Sequence, residues 1–338
     1  MAVPVDLGER RPAAASDARG VRVLYLEVAN TCNSRCTTCP LTFGHCETPA
    51  MLGRAEAAAV AAQAPDLERV VLHGLGEPLL NPELGAIVGD FSARGVQTCF
   101  NTNGLLLNRR RTTALLDAGL TELRVSLDAA DADTYRRVRG VRGHAVVVGN
   151  LARLVAMRRD RGLAAPVVTV YFTAMHDNVD ELPGVVALAS DAGADALVVQ
   201  RLTYWGEGMA TVDQSLFGHV AARERAAIAE AEARAASVGL EIRGTAGLAP
   251  LESLENGPDR SGCMRPWTTA YVTAHGNVYA CCIAPFTGVA HDELVMGNVF
   301  ESSLGSVWSG PRYGALRRGL RGGTPLPFCE GCGERWSY

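Results

Sequence analysis

Three cysteines, Cys32, Cys36 and Cys39, fall within eight residues in the segment NTCNSRCTTC. The N-terminal stretch MAVPVDLGERRPAAASDARG lacks the apolar middle of a signal peptide, so thiols at this density read as metal ligands, not as halves of disulfides. A structural zinc ion takes four protein ligands, and only His45 and Cys46 lie near enough in sequence to complete such a set. Three thiolates suit a different object, a cubane of four irons in which one iron stays open for a substrate or cofactor. A second group gathers late in the chain, at Cys263, Cys281, Cys282, Cys329 and Cys332. Four thiolates there fit either a ribbon-like zinc site or a fully ligated iron–sulfur cluster. Cys281 and Cys282 are adjacent, so on a strand they point to opposite faces and one of them serves as ligand.

The elements around these cysteines follow an alternating pattern. Short β-branched runs at 21–29, 67–74, 96–101, 122–128, 167–174 and 196–202 predict six strands. Helical patterns between them, at 54–64, 83–95, 109–119, 144–162 and 178–193, mostly end at a glycine suited to a left-handed cap. Repeated βα units of this kind build a parallel sheet, here an α/β fold with a partial (β/α)6, TIM-like barrel. The first cysteines then follow the first strand at its C-terminal end, where such barrels carry their chemistry. One more helix is expected over 219–239, and TTAYVTAHGNVYACC reads as a hairpin turning at His275-Gly276-Asn277. The expected organisation is a tail at 1–20, a barrel at 21–242, a linker at 243–262 and a small domain at 263–338.

Composition narrows the chemistry. All 32 basic side chains are arginine, so mechanisms built on a lysine amine, such as Schiff bases and pyridoxal phosphate, are excluded. A formal net charge of -4, with no basic run, gives no footprint for nucleic acid or a membrane surface. No apolar stretch reaches the roughly 18 residues of a membrane span, and a cytoplasmic enzyme is the expectation.

With these residues in view, the chain resembles the radical S-adenosylmethionine (SAM) superfamily. The resemblance rests on C-x-x-x-C-x-x-C at Cys32, Cys36 and Cys39 after the first strand, and on HGLGEPLLNP after the second. The latter is similar to the family's GGEP segment, with Leu75 in place of a second glycine. It implies that the backbone at Gly74, Gly76, Glu77 and Pro78 holds the amino group of SAM. Asn101 and Asn103 of NTNG, and Ser126 and Asp128 of RVSLD, stand where the family contacts ribose and carboxylate. The tail resembles the SPASM/twitch extension through CMRPW, a glycine five residues before Cys281, and the closing C-x-x-C. Its shorter form implies one auxiliary 4Fe–4S cluster on Cys263, Cys281, Cys329 and Cys332, leaving Cys46, Cys99 and Cys282 as spare thiols.

The resemblance implies SAM and two 4Fe–4S clusters as cofactors, a 5'-deoxyadenosyl radical as oxidant, and a flavodoxin or ferredoxin-type reductant. An auxiliary cluster ligated four times by the chain suits outer-sphere electron transfer, so the expected reaction is dehydrogenation of a secondary alcohol to a ketone. The short stretch before the first strand favours a small-molecule substrate, and the layout is similar to dehydrogenases acting on an amino sugar or aminocyclitol glycoside. Two alternatives stand beside it: an epimerase in which Cys282 returns a hydrogen atom, and a peptide-modifying SPASM maturase. For the base that takes the hydroxyl proton, Glu207 and Tyr204 of RLTYWGEG are the candidates, with His176, Asp177 and Arg201 behind them.

Overall fold

In a computed structural model, residues 20–216, 220–244, 263–287 and 289–330 are described. The N-terminal tail except Gly20, most of the expected linker, and Cys332 lie outside them. Strand β1 (Val23–Leu26) leads through the cysteine loop to α1 (Arg54–Ala62), β2 (Arg69–Val71), α2 (Leu84–Ala93) and β3 (Gln97–Thr102). Then come α3 (Arg109–Asp117), β4 (Glu122–Ser126), α4 (Ala132–Arg139), α5 (His144–Asp160) and β5 (Val167–Ala174). The repeat closes with α6 (Leu182–Asp191), β6 (Ala196–Arg201), α7 (Ala222–Val238) and β7 (Glu241–Gly244). The C-terminal part holds α8 (Arg265–Thr268), β8 (Thr269–Val272), β9 (Asn277–Tyr279), α9 (His291–Leu294), β10 (Val295–Asn298), α10 (Leu304–Trp308), α11 (Pro311–Arg321) and α12 (Pro327–Glu330).

All six expected strands are present, within a single ten-stranded sheet of order β10-β9-β8-β1-β2-β3-β4-β5-β6-β7. Neighbours from β8 through β7 are parallel, while β9 and β10 pair antiparallel, the mixture of a partial barrel with a small added domain. The structure adds two features to the sequence reading. β7 is a seventh parallel strand, and β8 of the expected hairpin aligns with β1 from Val23↔Thr269 to Leu26↔Val272. The hairpin turn itself forms as expected, with Gly276 at a φ of +80° that a side chain would strain.

The period of two along each strand sorts its side chains between two environments. Leu24, Leu26 and Val28, Leu123, Val125 and Leu127, and Val168, Val170 and Phe172 are fully buried on the face the helices cover. The intervening residues, Tyr25 and Glu27, Arg124, Ser126 and Asp128, and Tyr171 and Thr173, point into the concave interior. An apolar outer layer thus sets the sheet, and a polar inner face is left for chemistry.

Candidate active site

The cysteine loop leaves β1 and is tied through its backbone to α4 and to two neighbouring loops. Glu77 N–H donates to Thr31 C=O at 2.8 Å, Arg35 N–H to Arg139 C=O at 3.3 Å, Thr37 N–H to Val138 C=O at 3.0 Å and Met209 N–H to Thr37 C=O at 2.7 Å. A Cβ on Gly140 would stand 2.1 Å from the Arg35 carbonyl oxygen, so α4 can abut the loop only because it ends in glycine. Cys32 Sγ accepts from Ser34 N–H at 3.4 Å and from Asn103 Nδ2 at 3.7 Å.

Each of the three cysteines is half-exposed as a residue, yet its thiol is turned inward. Burial pushes all three thiols up, Cys39 to about 12, and at Cys39 the neighbouring Cys36 and Cys32 add to the shift. The Cys39 thiol thus lies near enough to Cys36 and Cys32 to feel their charge. In such a place the thiolates form when an electropositive group replaces their protons. One cation is supplied by the chain. Arg139, at the last turn of α4, hydrogen-bonds the Cys36 thiol, pairs with Asp128 Oδ2 at 3.1 Å and donates to the Ser126 carbonyl at 3.3 Å. Sequence reasoning passed over Arg139; the available signal was a basic residue directly before the Gly140 cap, thirteen residues beyond Ser126 and eleven beyond Asp128.

The remaining sequence candidates line the same rim. Gly74 and Gly76 make a tight approach that only glycine permits: a Cβ would lie 2.1 Å from Glu27 Oε2 at Gly74 and 2.2 Å from the Ala29 carbonyl oxygen at Gly76. Glu77 is consumed as a fastener, accepting from Leu79 N–H at 3.0 Å, Thr102 Oγ1 at 2.7 Å and Asn103 N–H at 2.7 Å, and burial raises its carboxyl. Pro78 starts the turn that follows. Glu27 Oε2 accepts from Leu75 N–H at 2.9 Å and Tyr271 Oη at 2.8 Å, binding the glycine turn to β8; burial raises this carboxyl too. Asp128 Oδ1 accepts from Thr173 N–H at 2.7 Å, which aligns β4 with β5.

Four polar atoms around this loop, Thr31 Oγ1, Ser34 Oγ, Asn101 Oδ1 and Arg139 Nε, are buried with no hydrogen-bond partner among the described residues. Buried polar groups ordinarily have partners, so four orphans around these inward-turned thiols fit a bound polar group at this rim. Three thiols, one guanidinium and these orphans match an iron–sulfur cluster with an amino-acid-like ligand.

The catalytic candidates sit further out. Glu207 Oε1 lies 3.2 Å from His45 Nε2 at the surface, in a loop whose Trp205 ring packs edge-on against Phe43 and His45. Tyr204 packs with Val138, Met175 and Leu202 beneath that loop. Cys282 faces the barrel and hydrogen-bonds the Tyr25 hydroxyl, whereas Cys281 lies toward Tyr313 of α11. Cys263, Cys281 and Cys329 are half-exposed in the C-terminal part, and Cys332 falls outside the described residues. Among the described residues no three His, Cys, Asp or Glu side chains converge as ligands of a single metal ion. No described helix is long and apolar enough to cross a membrane.

Two family models match this chain. That of the radical SAM superfamily covers residues 26–189, and that of the SPASM iron–sulfur cluster-binding domain covers 263–333. The chain is 29% identical over 310 residues to a PqqA peptide cyclase of Streptomyces rochei, spanning 88% of this chain and 79% of that protein. It is 28% identical over 316 residues to the mycofactocin maturase MftC of Mycobacterium ulcerans, spanning 92% and 80%. Its fold is similar to that of Streptococcus suis SuiB bound to S-adenosylmethionine, with a TM-score of 0.70 at 16% identity over 88% of this chain and 68% of that one.

Proposed function

The chain belongs to the radical SAM superfamily and carries a SPASM domain, and from this we propose that it is a maturase that modifies a peptide by removing a hydrogen atom from an unactivated C–H bond. SAM and a 4Fe–4S cluster in the barrel are its cofactors, with auxiliary iron–sulfur chemistry in the SPASM domain. When bound, SAM and the reduced cluster supply a 5'-deoxyadenosyl radical.

The chain's own residues hold and shield. Cys32, Cys36 and Cys39 ligate the first cluster, and Arg139 offsets their negative charge. The backbone at Gly74, Gly76 and Glu77, with Pro78 fixing the turn, cradles the amino group of SAM. Asn101, Asn103, Ser126 and Asp128 orient its ribose and carboxylate from the ends of β3 and β4. Cys263, Cys281, Cys329 and Cys332 hold an auxiliary cluster. Cys282 faces the lumen, a position from which a thiol can meet a substrate radical, and Glu207 and Tyr204 border the mouth.

One observation carries the choice of a peptide over an alcohol. The likeness to a peptide cyclase and to a maturase runs over 310 and 316 residues, 88% and 92% of this chain. The test uses anaerobically reconstituted protein with SAM, dithionite and deuterated synthetic peptides encoded beside its gene. Transfer of deuterium into 5'-deoxyadenosine with a mass change in the peptide is the expected result. Unchanged peptides, together with an aminocyclitol alcohol that loses two mass units, would replace this reading with the dehydrogenase.

A further inference from the structure

The concave face of the sheet carries charges that the cofactor-holding rim does not use. On β4, Glu122 and Arg124 point inward below Ser126 and Asp128. Arg124 Nε donates to Glu122 Oε1 at 2.6 Å, and Arg69 of β2 forms an ion pair with the other carboxylate oxygen. The Arg124 guanidinium also lies 5.2 Å from the centre of the Tyr171 ring of β5. Their side chains are 12% (Arg124), 6% (Glu122) and 19% (Arg69) exposed, so two guanidinium groups share one carboxylate away from bulk water.

The titratable neighbours leave that charge uncompensated. Burial and Arg124 hold His73 neutral, with its pKa down at about 4, and burial pushes the Cys99 thiol up to about 11. The Cys282 thiol and burial raise Tyr25, and burial raises Tyr171, so neither phenol supplies a negative charge near neutral pH. Despite its burial, Glu122 is held ionised below the ordinary carboxyl range by Arg124 and Arg69. Arg243 has its own carboxylate in Glu241. Within the group of Arg124, Arg69 and Glu122, one positive charge remains. The terminal nitrogens of Arg124 find no hydrogen-bond acceptor among the described residues, and they are not sealed from the interior. An isolated charge so placed is costly unless an anion meets it.

We propose that Arg124 anchors a carboxylate carried by the substrate; in the peptide reading above, on which this rests, it belongs to an acidic residue beside the one that is modified. A planar guanidinium with two free N–H groups matches a carboxylate in shape, and a single surplus charge matches a monoanion. The anchor stands two and four residues below Ser126 and Asp128, roughly 7 and 13 Å along the strand. The anchored group is therefore not the reacting group; it sets how deep the substrate reaches into the barrel.

The test is calorimetric binding to the anaerobically reconstituted full chain, with four probes: N-acetyl-glutamate N-methylamide, its glutamine counterpart, free glutarate and inorganic phosphate. The glutamate amide should bind at least tenfold more tightly than the glutamine amide. Arg124→Gln should erase that preference and Arg124→Lys should keep part of it, while Glu122→Gln, which frees a second guanidinium, should tighten glutamate binding. Equal binding of the two amides, a preference that survives Arg124→Gln, loss of binding in Glu122→Gln, or tighter binding of phosphate would each overturn the anchor. Glutarate bound more tightly than the glutamate amide, with the same dependence on Arg124, would uphold the anchor and overturn the peptide reading. Turnover of a peptide by a protein whose two amide probes bind alike would do the reverse.

Discussion

The two cysteine regions are built in opposite ways. In the barrel, Cys32, Cys36 and Cys39 sit within one short loop, and that loop is fastened by backbone hydrogen bonds to the segments after β2 and β6 and to the last turn of α4. In the C-terminal part, Cys263, Cys281 and Cys329 come from three separate short elements, near α8, after β9 and in α12. The helices α8, α9 and α12 span only four residues each. Helices this short have little stability of their own, so tertiary contacts must hold them. Here the contacts come from a few large side chains: the Arg317 guanidinium stacks on Trp308 and Tyr313 and donates to the Pro266 and Trp308 carbonyls, and the Tyr313 hydroxyl donates to the Tyr279 carbonyl. The first region is held in shape by the chain's own backbone hydrogen bonds. The second depends on packing across long stretches of sequence, and a metal group shared by its cysteines would add to its stability.

The largest effect that can break this comparison is loss of a cysteine. Cys36→Ala should remove about four irons and take 5'-deoxyadenosine formation to background. Cys329→Ala should also lose about four irons but keep deoxyadenosine formation while product disappears. The iron count, with chromatography of deoxyadenosine, reads both, and equal loss of deoxyadenosine in the two variants would refute the division of labour. Melting curves of the two should differ as well, with Cys329→Ala lowering the C-terminal transition more.

Next in size is Arg139→Met. It leaves Asp128 buried without its cation, a change that costs about 3–5 kcal/mol and is measurable by anaerobic urea unfolding. The corresponding change in the other region, Arg317→Met, trades a stacked guanidinium with two carbonyl acceptors for a thioether. It should cost less, about 1–3 kcal/mol.

Gly76→Ala is of similar size but local. Its Cβ would press on the Ala29 carbonyl, an overpacking of about 1–3 kcal/mol, and SAM titration should show weakening of roughly five- to hundredfold.

The smallest effect is a pH dependence at the seam between the regions. Burial raises the Glu27 carboxyl above 4.5, so its contribution to stability is complete below the unfolded value and is lost as pH climbs through the folded one. Glu27→Gln cannot lose it. The melting temperature of the variant minus that of wild type should therefore rise between pH 4.5 and pH 7, and a flat difference would mean that Glu27 is not buried as described.

What was legible in the sequence divides along the same line. Strands such as VVTVYFTA announce themselves, because β-branched runs bounded by turn residues have few other ways to pack. The helices that end at Gly95, Gly119, Gly162, Gly193 and Gly239 were equally plain, each of these glycines having a positive φ near 70°. Helix α4 was missed because DADTYRRVRG offers few apolar residues to set a period, and its order comes from the Asp131 cap and the burial of Tyr135 and Val138. β7 was missed because EIRG has one apolar side chain and is a strand only through pairing with β6. Arg139 and Arg124 were invisible for another reason. An arginine's meaning lies in what faces it, and only the fold sets Cys36 beside Arg139, and Tyr171 beside Arg124.

The register of β8 along β1 has a consequence beyond architecture. Four consecutive residue pairs stitch the second domain to the strand that feeds the first cysteine loop, and Tyr271 pins it once more through Glu27. The spacing between the two redox regions is thus written into a hydrogen-bonded ladder and not into a hinge. A guest molecule meets the side chains of the concavity, so changes of substrate during evolution should be found there, with the stitched seam left alone.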